Sequence, residues 1–328
     1  MPMKTADPAP EKSLSVEVLR AGCVLYIVGF WHLMDYTHGF GGYNNAVTVR
    51  LTVTVLGLFT FLSGFLLARA PMRLGRSELK RFYAKRLLRI YPLYLLALLA
   101  FWALGIADRG IALKAALGIS MLYGPPPTTL WFITMILVFY LIAPLLIALR
   151  PAPGRFALAS LAVFLLVAAA TRTASGDMRI AQYFPAFALG IWWAGRAQGS
   201  STRAWLPATG AAIAACALSL AFDVDPQYSL TAMPLATFGA LAVFLLAGRV
   251  PLSPESRLVR VAGLLGYASF SMYLFHRVVY KGLHALWDPA SGANGLGYLL
   301  LVCLPLVIAV AFLVQSAYDW SLRRATAR

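Results

Sequence analysis

Long apolar runs separated by short polar stretches dominate the chain. Most of these runs approach or exceed the about 20 residues that an α-helix needs to cross a bilayer. We predict ten membrane-spanning helices, at about residues 14–34, 48–69, 87–106, 129–149, 156–171, 179–195, 204–222, 229–248, 261–283 and 296–319. The pattern therefore predicts an all-α integral membrane protein, a bundle of about ten transmembrane helices.

One apolar run does not fit this scheme. Residues 111–123 form a run of only 13 residues, which ends just before three consecutive prolines, Pro125–Pro127. A span needs about 20 residues, so we expect an interfacial or re-entrant segment here. The polar ends, residues 1–13 and 321–328, are expected to be cytoplasmic tails of one transmembrane domain, residues 14–320.

Charge is distributed unevenly between the loops. The chain carries a net charge of +16, although only 12% of its residues are charged. The loops after even-numbered helices hold most of the bases, including eight in residues 69–89 against the single acid Glu78. Because basic loops stay in the cytoplasm, we predict a multi-pass plasma (inner) membrane protein with both termini inside. This pattern accounts for the basic charge without nucleic acid as a partner.

The three cysteines, Cys23, Cys216 and Cys303, all lie within apolar runs, and no two share a CxxC spacing. Isolated cysteines in apolar surroundings behave as small hydrophobic residues. We therefore expect neither a disulfide nor a bound metal ion.

The first apolar run, residues 14–34, contains Glu17, Arg20 and His32. A charge within a bilayer costs about 2.5–3.5 kcal/mol on insertion scales, so such residues usually have a function. Asp35 follows His32 by three residues, and a carboxylate beside a histidine favours general-base catalysis. The alternatives are an interfacial histidine bonded to a loop, and an arginine that reaches the membrane surface or pairs with Glu17.

Arg86 and Arg89 lie three residues apart in the basic block KRFYAKRLLRIYPLY, residues 80–94. They share one face of a helix, and paired guanidinium groups are well matched to phosphate. The alternative is ordinary anchoring of a cytoplasmic loop by positive charge.

A polar stripe runs along the ninth predicted helix. Ser269, Tyr273 and His276 follow i, i+4, i+7 spacing and therefore face the bundle interior. This pattern favours either a substrate site or hydrogen bonds between helices. Ser63 and Trp131 are further candidates for substrate binding, although a small-residue packing surface at Ser63–Gly64 and an aromatic belt at Trp131 are simpler interpretations.

These motifs together resemble the membrane acyltransferase-3 family. They occur in order as an arginine- and histidine-containing first helix, FTFLSGFLL, KRLLRIYPLY, LWFITMILVFYLIAP and SFSMYLFH. The resemblance implies an O-acyltransferase that moves an acyl group, usually acetyl, from acyl-CoA to a hydroxyl of a carbohydrate or glycoside. It further implies that His32 is catalytic, that Arg20 accompanies it, and that Arg86 and Arg89 hold the CoA phosphates.

The first helix departs from the family pattern. The family usually has ten residues between the arginine and the histidine, whereas eleven separate Arg20 from His32. At about 100° per residue, the extra residue turns the two side chains about 120° apart. We therefore predict an irregularity between residues 21 and 31, such as a π-bulge at Gly22 or Gly29.

A transporter or channel is the alternative function, because buried histidine and arginine can also line a permeation path. The sequence shows no internal repeat and no matched pair of broken helices. Thioester cleavage would distinguish the enzyme, since a transporter does not catalyse it.

Overall fold

The computed structural model describes residues 14–37, 42–173, 176–196, 203–223, 225–289 and 293–326. Throughout these ranges the regular structure is helical and contains no β-strand. The predicted all-α membrane bundle is therefore confirmed. The predicted tail at residues 1–13 lies outside the described residues.

Twelve α-helices lie in the described ranges. They are α1 Leu14–Gly29, α2 Ala46–Leu67, α3 Arg76–Ala103, α4 Arg109–Ala116, α5 Trp131–Leu149, α6 Pro153–Thr173, α7 Arg179–Trp193, α8 Trp205–Phe222, α9 Ala240–Ala247, α10 Arg257–Leu286, α11 Ala293–Tyr298 and α12 Leu304–Thr326. Shorter 3-10 segments lie at Trp31–Tyr36, Pro226–Tyr228 and Leu230–Ala232, and π-helical segments at Leu235–Gly239 and Leu299–Cys303.

Nine helical stretches of the described chain are long and apolar enough to cross a membrane. The predicted span at residues 179–195 corresponds to α7, which has only 15 residues. At 1.5 Å per residue α7 is about 22 Å long, shorter than the about 30 Å hydrocarbon core of a bilayer. Most of its residues are buried, so α7 is a core helix of the bundle.

Two other segments refine the predicted boundaries. The run at residues 111–123 contains α4, a helix of eight residues, followed by a turn at Gly118 with φ of 74°. The Tyr94 hydroxyl donates to the Ala115 carbonyl at 3.2 Å and so ties α4 to α3. At the other end, α12 continues to Thr326, through most of the stretch expected to be a tail.

Glycines bring α2 and α7 into close contact at the centre of the bundle. A Cβ added to Gly64 would lie 2.2 Å from the Phe187 carbonyl oxygen, and one added to Gly190 would lie 2.1 Å from that of Phe61. Small residues at helix crossings let backbones approach in this way. The small-residue interpretation of Ser63–Gly64 therefore holds for Gly64.

The long helix α10 packs between α1, α3 and α12. The Tyr280 hydroxyl donates to the Val28 carbonyl at 3.0 Å, which joins α10 to the C-terminal half of α1. Nearer the basic end, Arg20 Nη2 donates to Ser269 Oγ at 3.2 Å. These contacts place the polar stripe of α10 directly against the arginine and the histidine of the first span.

Candidate active site

A cavity of 400 Å³ lies between α1, α2, α3, α5 and α10. Its walls are largely apolar, and six of the predicted site residues contribute polar groups to it. They are Arg20, Ser63, Arg86, Arg89, Ser269 and Tyr273. The tertiary structure thus brings together residues from four helices that are far apart in sequence.

Arg20 points into this cavity. Besides donating to Ser269 Oγ, it lines the cavity wall, and Ser269 Oγ in turn donates to the Gly266 carbonyl at 2.8 Å. The arginine therefore faces the bundle interior and does not extend toward the membrane surface.

Three guanidinium groups, those of Arg20, Arg86 and Arg89, share the cavity, and none of the described residues that line it is acidic. Arg86 also stacks on Phe82, with 5.3 Å from Cζ to the ring centroid. Among the described residues its buried Nε has no hydrogen-bond partner. An arrangement of three cations without lining acids is complementary to an anionic ligand with several acceptor oxygens.

Tyr140 of α5 also lines the cavity, and sequence analysis missed it. It is the lone tyrosine of a strongly apolar helix. Its hydroxyl in an apolar helix was the sequence signal that could have identified Tyr140 as a site residue, because a buried tyrosine normally needs a polar partner.

The first span is irregular in the predicted interval, although not by a π-bulge. The α-helix ends at Gly29, and Phe30 has φ of −133° and ψ of −69°. A 3-10 segment then runs from Trp31 to Tyr36. Because a 3-10 helix has 3.0 residues per turn, the break resets the direction of His32 relative to Arg20.

The break positions His32 against His276 of α10. Their imidazole rings are stacked, with centroids 4.7 Å apart and an interplanar angle of 2°. His276 is fully buried, and its Nδ1 lies 2.8 Å from the Tyr273 carbonyl and 3.2 Å from the Met272 carbonyl. Both partners are acceptors, so Nδ1 carries the hydrogen and Nε2 of the neutral ring carries the lone pair.

Each histidine of this pair has an unused nitrogen. His32 Nδ1 and His276 Nε2 are buried and have no hydrogen-bond partner among the described residues. Buried polar atoms are nearly always paired, and exceptions occur at catalytic sites. The pair can thus accept a hydrogen bond or a proton from a substrate.

Tyr273 separates the cavity from His32. Its ring lines the cavity and lies 6.3 Å from the His32 ring and 5.8 Å from that of Phe132. Its hydroxyl donates to the carbonyl of Thr129, which has a φ of 61°. A β-branched residue disfavours this conformation, so the tyrosine contact helps to hold the turn before α5.

Asp35 does not orient His32, contrary to prediction. Its carboxylate forms an ion pair with Arg277, the residue after His276. The 3-10 turn and the nearby guanidinium direct the carboxylate to Arg277, and no hydrogen bond joins Asp35 to His32 in the described chain. Sequence analysis did not single out Arg277.

Trp131 lies outside the cavity and is only 8% exposed. The Arg179 guanidinium lies 3.8 Å from its ring centroid and 4.6 Å from that of Tyr228. The same arginine pairs with Asp177, with Nε–Oδ distances of 2.9 and 3.1 Å. This burial argues against a lipid-facing aromatic belt, and it leaves little of the ring free to stack on a sugar.

Comparison with known proteins identifies the fold's family. The model of the acyltransferase domain of the acyltransferase-3 family matches residues 13–314, nearly the whole chain. No curated protein and no solved structure matches the chain. Because the match covers nearly the whole bundle and every residue that lines its cavity, the chain belongs to the acyltransferase-3 family and is a multi-pass membrane acyltransferase.

Proposed function

We propose that this enzyme transfers an acyl group, acetyl in the first instance, from acyl-CoA to a hydroxyl of a carbohydrate-type acceptor. The observation that carries the proposal is the convergence of Arg20, Arg86 and Arg89 on one cavity whose wall residue Tyr273 lies between it and His32. Acyl-CoA carries phosphate groups at its nucleotide end and a thioester at the other end of a thin arm. The arginines of the cavity match the phosphates, and His32, deeper in the bundle, matches the thioester.

The two depths agree with the length of that arm. Arg20 and Gly29 are about 14 Å apart along α1 at 1.5 Å per residue, and His32 lies beyond the break at Phe30. A cavity of 400 Å³ lies in the range that holds a drug-sized ligand, so it admits the pantetheine arm while the nucleotide stays at the mouth. Arg86 and Arg89 would pair with the phosphates.

The chemical step needs a base near the acceptor hydroxyl. The hydroxyl oxygen attacks the thioester carbonyl while its proton passes to His32, which acts as general base. Collapse of the tetrahedral intermediate breaks the C–S bond, and the proton returns to the CoA thiolate. The ester forms, CoA leaves as the thiol, and His32 is neutral again.

His276 and Tyr273 assist the same step. The lone pair on His276 Nε2 can accept a hydrogen bond from a second hydroxyl of the carbohydrate acceptor, which makes His276 a substrate-binding residue. Tyr273, between the cavity and the histidines, contacts the arm near the thioester. Ser63 and Ser269 line the cavity wall and contact the bound substrate there.

The family and the loop charges support the expected membrane location and orientation. Arg86 and Arg89 of the basic block line the cavity, and basic loops are retained in the cytoplasm, where acyl-CoA is available. With α7 as a tenth, short crossing that is buried against the span α2, the plasma (inner) membrane with both termini inside is the orientation we propose. In it, His32 lies toward the outer face, where cell-surface carbohydrates would be modified.

The test is acyl transfer by the purified full-length protein in lipid nanodiscs with acetyl-CoA. His32→Ala should lower thioester cleavage and transfer by about 10²–10⁴-fold, the usual contribution of a general base. His284→Ala is the matched control, because this histidine of α10 packs on Tyr36 and Tyr298 away from the cavity. Full activity of a correctly folded His32→Ala protein would reject the proposed base.

A further inference from the structure

A second, larger cavity of 700 Å³ lies on another side of the bundle, between α6, α7 and the π-helical segment Leu235–Gly239. Aromatic rings form much of its wall, among them Phe156, Phe164, Phe184 and Trp192. None of the described residues that line it is charged. This second cavity, here called the α6–α7 groove, is independent of the acyltransferase site.

The groove lies on the surface of a helix that is expected to contact lipid. It lies along α6, which meets the length and hydropathy requirements of a membrane span. Leu158 and Leu166, on the outer side of α6, are 69% and 70% exposed. An apolar groove with such neighbours is filled in a membrane by hydrocarbon, because water gains no hydrogen-bond partners there.

The depth of the groove equals that of one leaflet. Its lining on α6 runs from Pro153 to Phe164, about 16 Å at 1.5 Å per residue. On α7 it runs from Trp192 back to Phe184, about 12 Å. Half of a hydrocarbon core of about 30 Å is about 15 Å, so the groove holds a chain that enters from one membrane face.

Basic side chains lie at the end of the groove that is next to Trp192 and Phe156. Arg196 lies with its Cζ 5.0 Å from the Trp192 ring and 4.9 Å from the Trp193 ring. The Trp192 ring is also 5.3 Å from Phe156 in the groove. Arg155 directly precedes Phe156, and both arginines are exposed. Trp192 thus connects the apolar groove to an arginine at the level of the headgroups, where tryptophan is enriched.

We propose that the α6–α7 groove binds one acyl chain of an anionic glycerophospholipid, whose phosphate pairs with Arg196 and Arg155. The charge at the mouth selects an anionic headgroup, since each basic residue near the surface strengthens such binding about fivefold. The single-leaflet depth matches an ordinary fatty acyl chain. A long isoprenoid chain would not be matched by a groove that ends at the bilayer centre.

The test uses the full-length protein in phosphatidylcholine nanodiscs that contain a phosphatidylglycerol with a photoreactive diazirine in one acyl chain. Mass spectrometry of the labelled peptides should place the label on α6 and α7. The yield of label on α6 and α7 from the phosphatidylglycerol probe should be at least about fivefold higher than the yield from a phosphatidylcholine probe with the same diazirine chain. Arg196→Gln should remove most of this preference.

Matched variants make the result specific. Arg257→Gln removes an exposed arginine at the start of α10 and should leave the preference unchanged. Ala157→Trp fills the groove from an exposed position on α6 and should abolish the label, whereas Leu158→Trp, outside the groove, should not. Equal labelling by both probes, or an unchanged preference in Arg196→Gln, would overturn the proposal. Displacement of the label by polyprenyl phosphate at tenfold lower concentration than by phosphatidylglycerol would also overturn it.

Discussion

The imidazole rings of His32 and His276 lie parallel, with their centroids 4.7 Å apart. They come from the first span and from α10, which are more than 200 residues apart in the chain. Two protonated rings at this distance would repel each other, so protonation of both at once is disfavoured. That arrangement lets His32 take up a proton while His276 stays neutral.

Removing the lone pair of His276 should slow catalysis without weakening donor binding. His276→Phe keeps an aromatic ring against His32 but loses Nε2, and we expect kcat to fall about 100-fold, the lower end of an acid–base contribution. KM for acetyl-CoA should stay constant, because His276 does not line the arginine cavity. Steady-state kinetics in nanodiscs measures both values. His276→Gln, which keeps an acceptor, should recover part of the rate, and wild-type kinetics of the Phe variant would contradict the assignment.

Asp35→Asn should have a small effect. The carboxylate is 42% exposed in its ion pair with Arg277, and such pairs contribute about 0–1 kcal/mol to stability. Since no hydrogen bond joins Asp35 to His32, kcat should change by less than about fivefold, a bound that corresponds to about 1 kcal/mol. Thermal unfolding in detergent and acyl-transfer rates measure the two effects. A rate loss of about a thousandfold would instead show that Asp35 orients the base.

Arg86→Gln and Arg89→Gln should each raise KM for acetyl-CoA. Loss of a hydrogen bond to a charged group costs about 1.5–3 kcal/mol, equivalent to about 10- to 100-fold in affinity. Arg81→Gln is the control, because this arginine lies on the same helix but does not line the cavity.

The chemical origin of that KM effect can be separated from general charge loss. Acetyl-pantetheine lacks the nucleotide and its phosphates, so the variants and the wild type should use it with similar KM values. A KM for acetyl-pantetheine that rises as much as that for acetyl-CoA would contradict phosphate binding by these arginines.

Gly64→Ala should destabilise the bundle. The added methyl group would lie 2.2 Å from the Phe187 carbonyl oxygen, and such overpacking costs about 1–3 kcal/mol. Gly210→Ala is the matched control, because no atom of the described residues lies within 4 Å of its added Cβ and alanine is favoured over glycine in a helix by about 0.5–1 kcal/mol. Thermal unfolding should therefore shift down for the first variant and slightly up for the second. Equal stability of the two variants would show that α2 and α7 can separate at little cost.

The helical spans could be predicted because the bilayer imposes a length and an apolar composition on each one. α7 does not follow this length rule. A helix buried by protein and one exposed to lipid are both apolar, so residues 179–195 were indistinguishable from a span, although α7 is 15 residues long and buried. Only the packing of α7 against α2 revealed its position.

The sequence by itself determined the class of bundle and the chemical types available to its site. A histidine and an arginine in the first span, paired arginines in the basic block and the polar stripe of α10 were visible because each is costly in lipid and therefore needs a partner.

Tertiary structure alone decided which of these groups meet. The break at Phe30 turns His32 onto His276, and the packing of α1 on α10 directs Arg20 to Ser269. It also pairs Asp35 with Arg277 and covers Trp131 with Arg179. The physical reason is that partner choice depends on contacts between distant helices, whereas hydropathy and spacing report only which face of one helix a residue occupies.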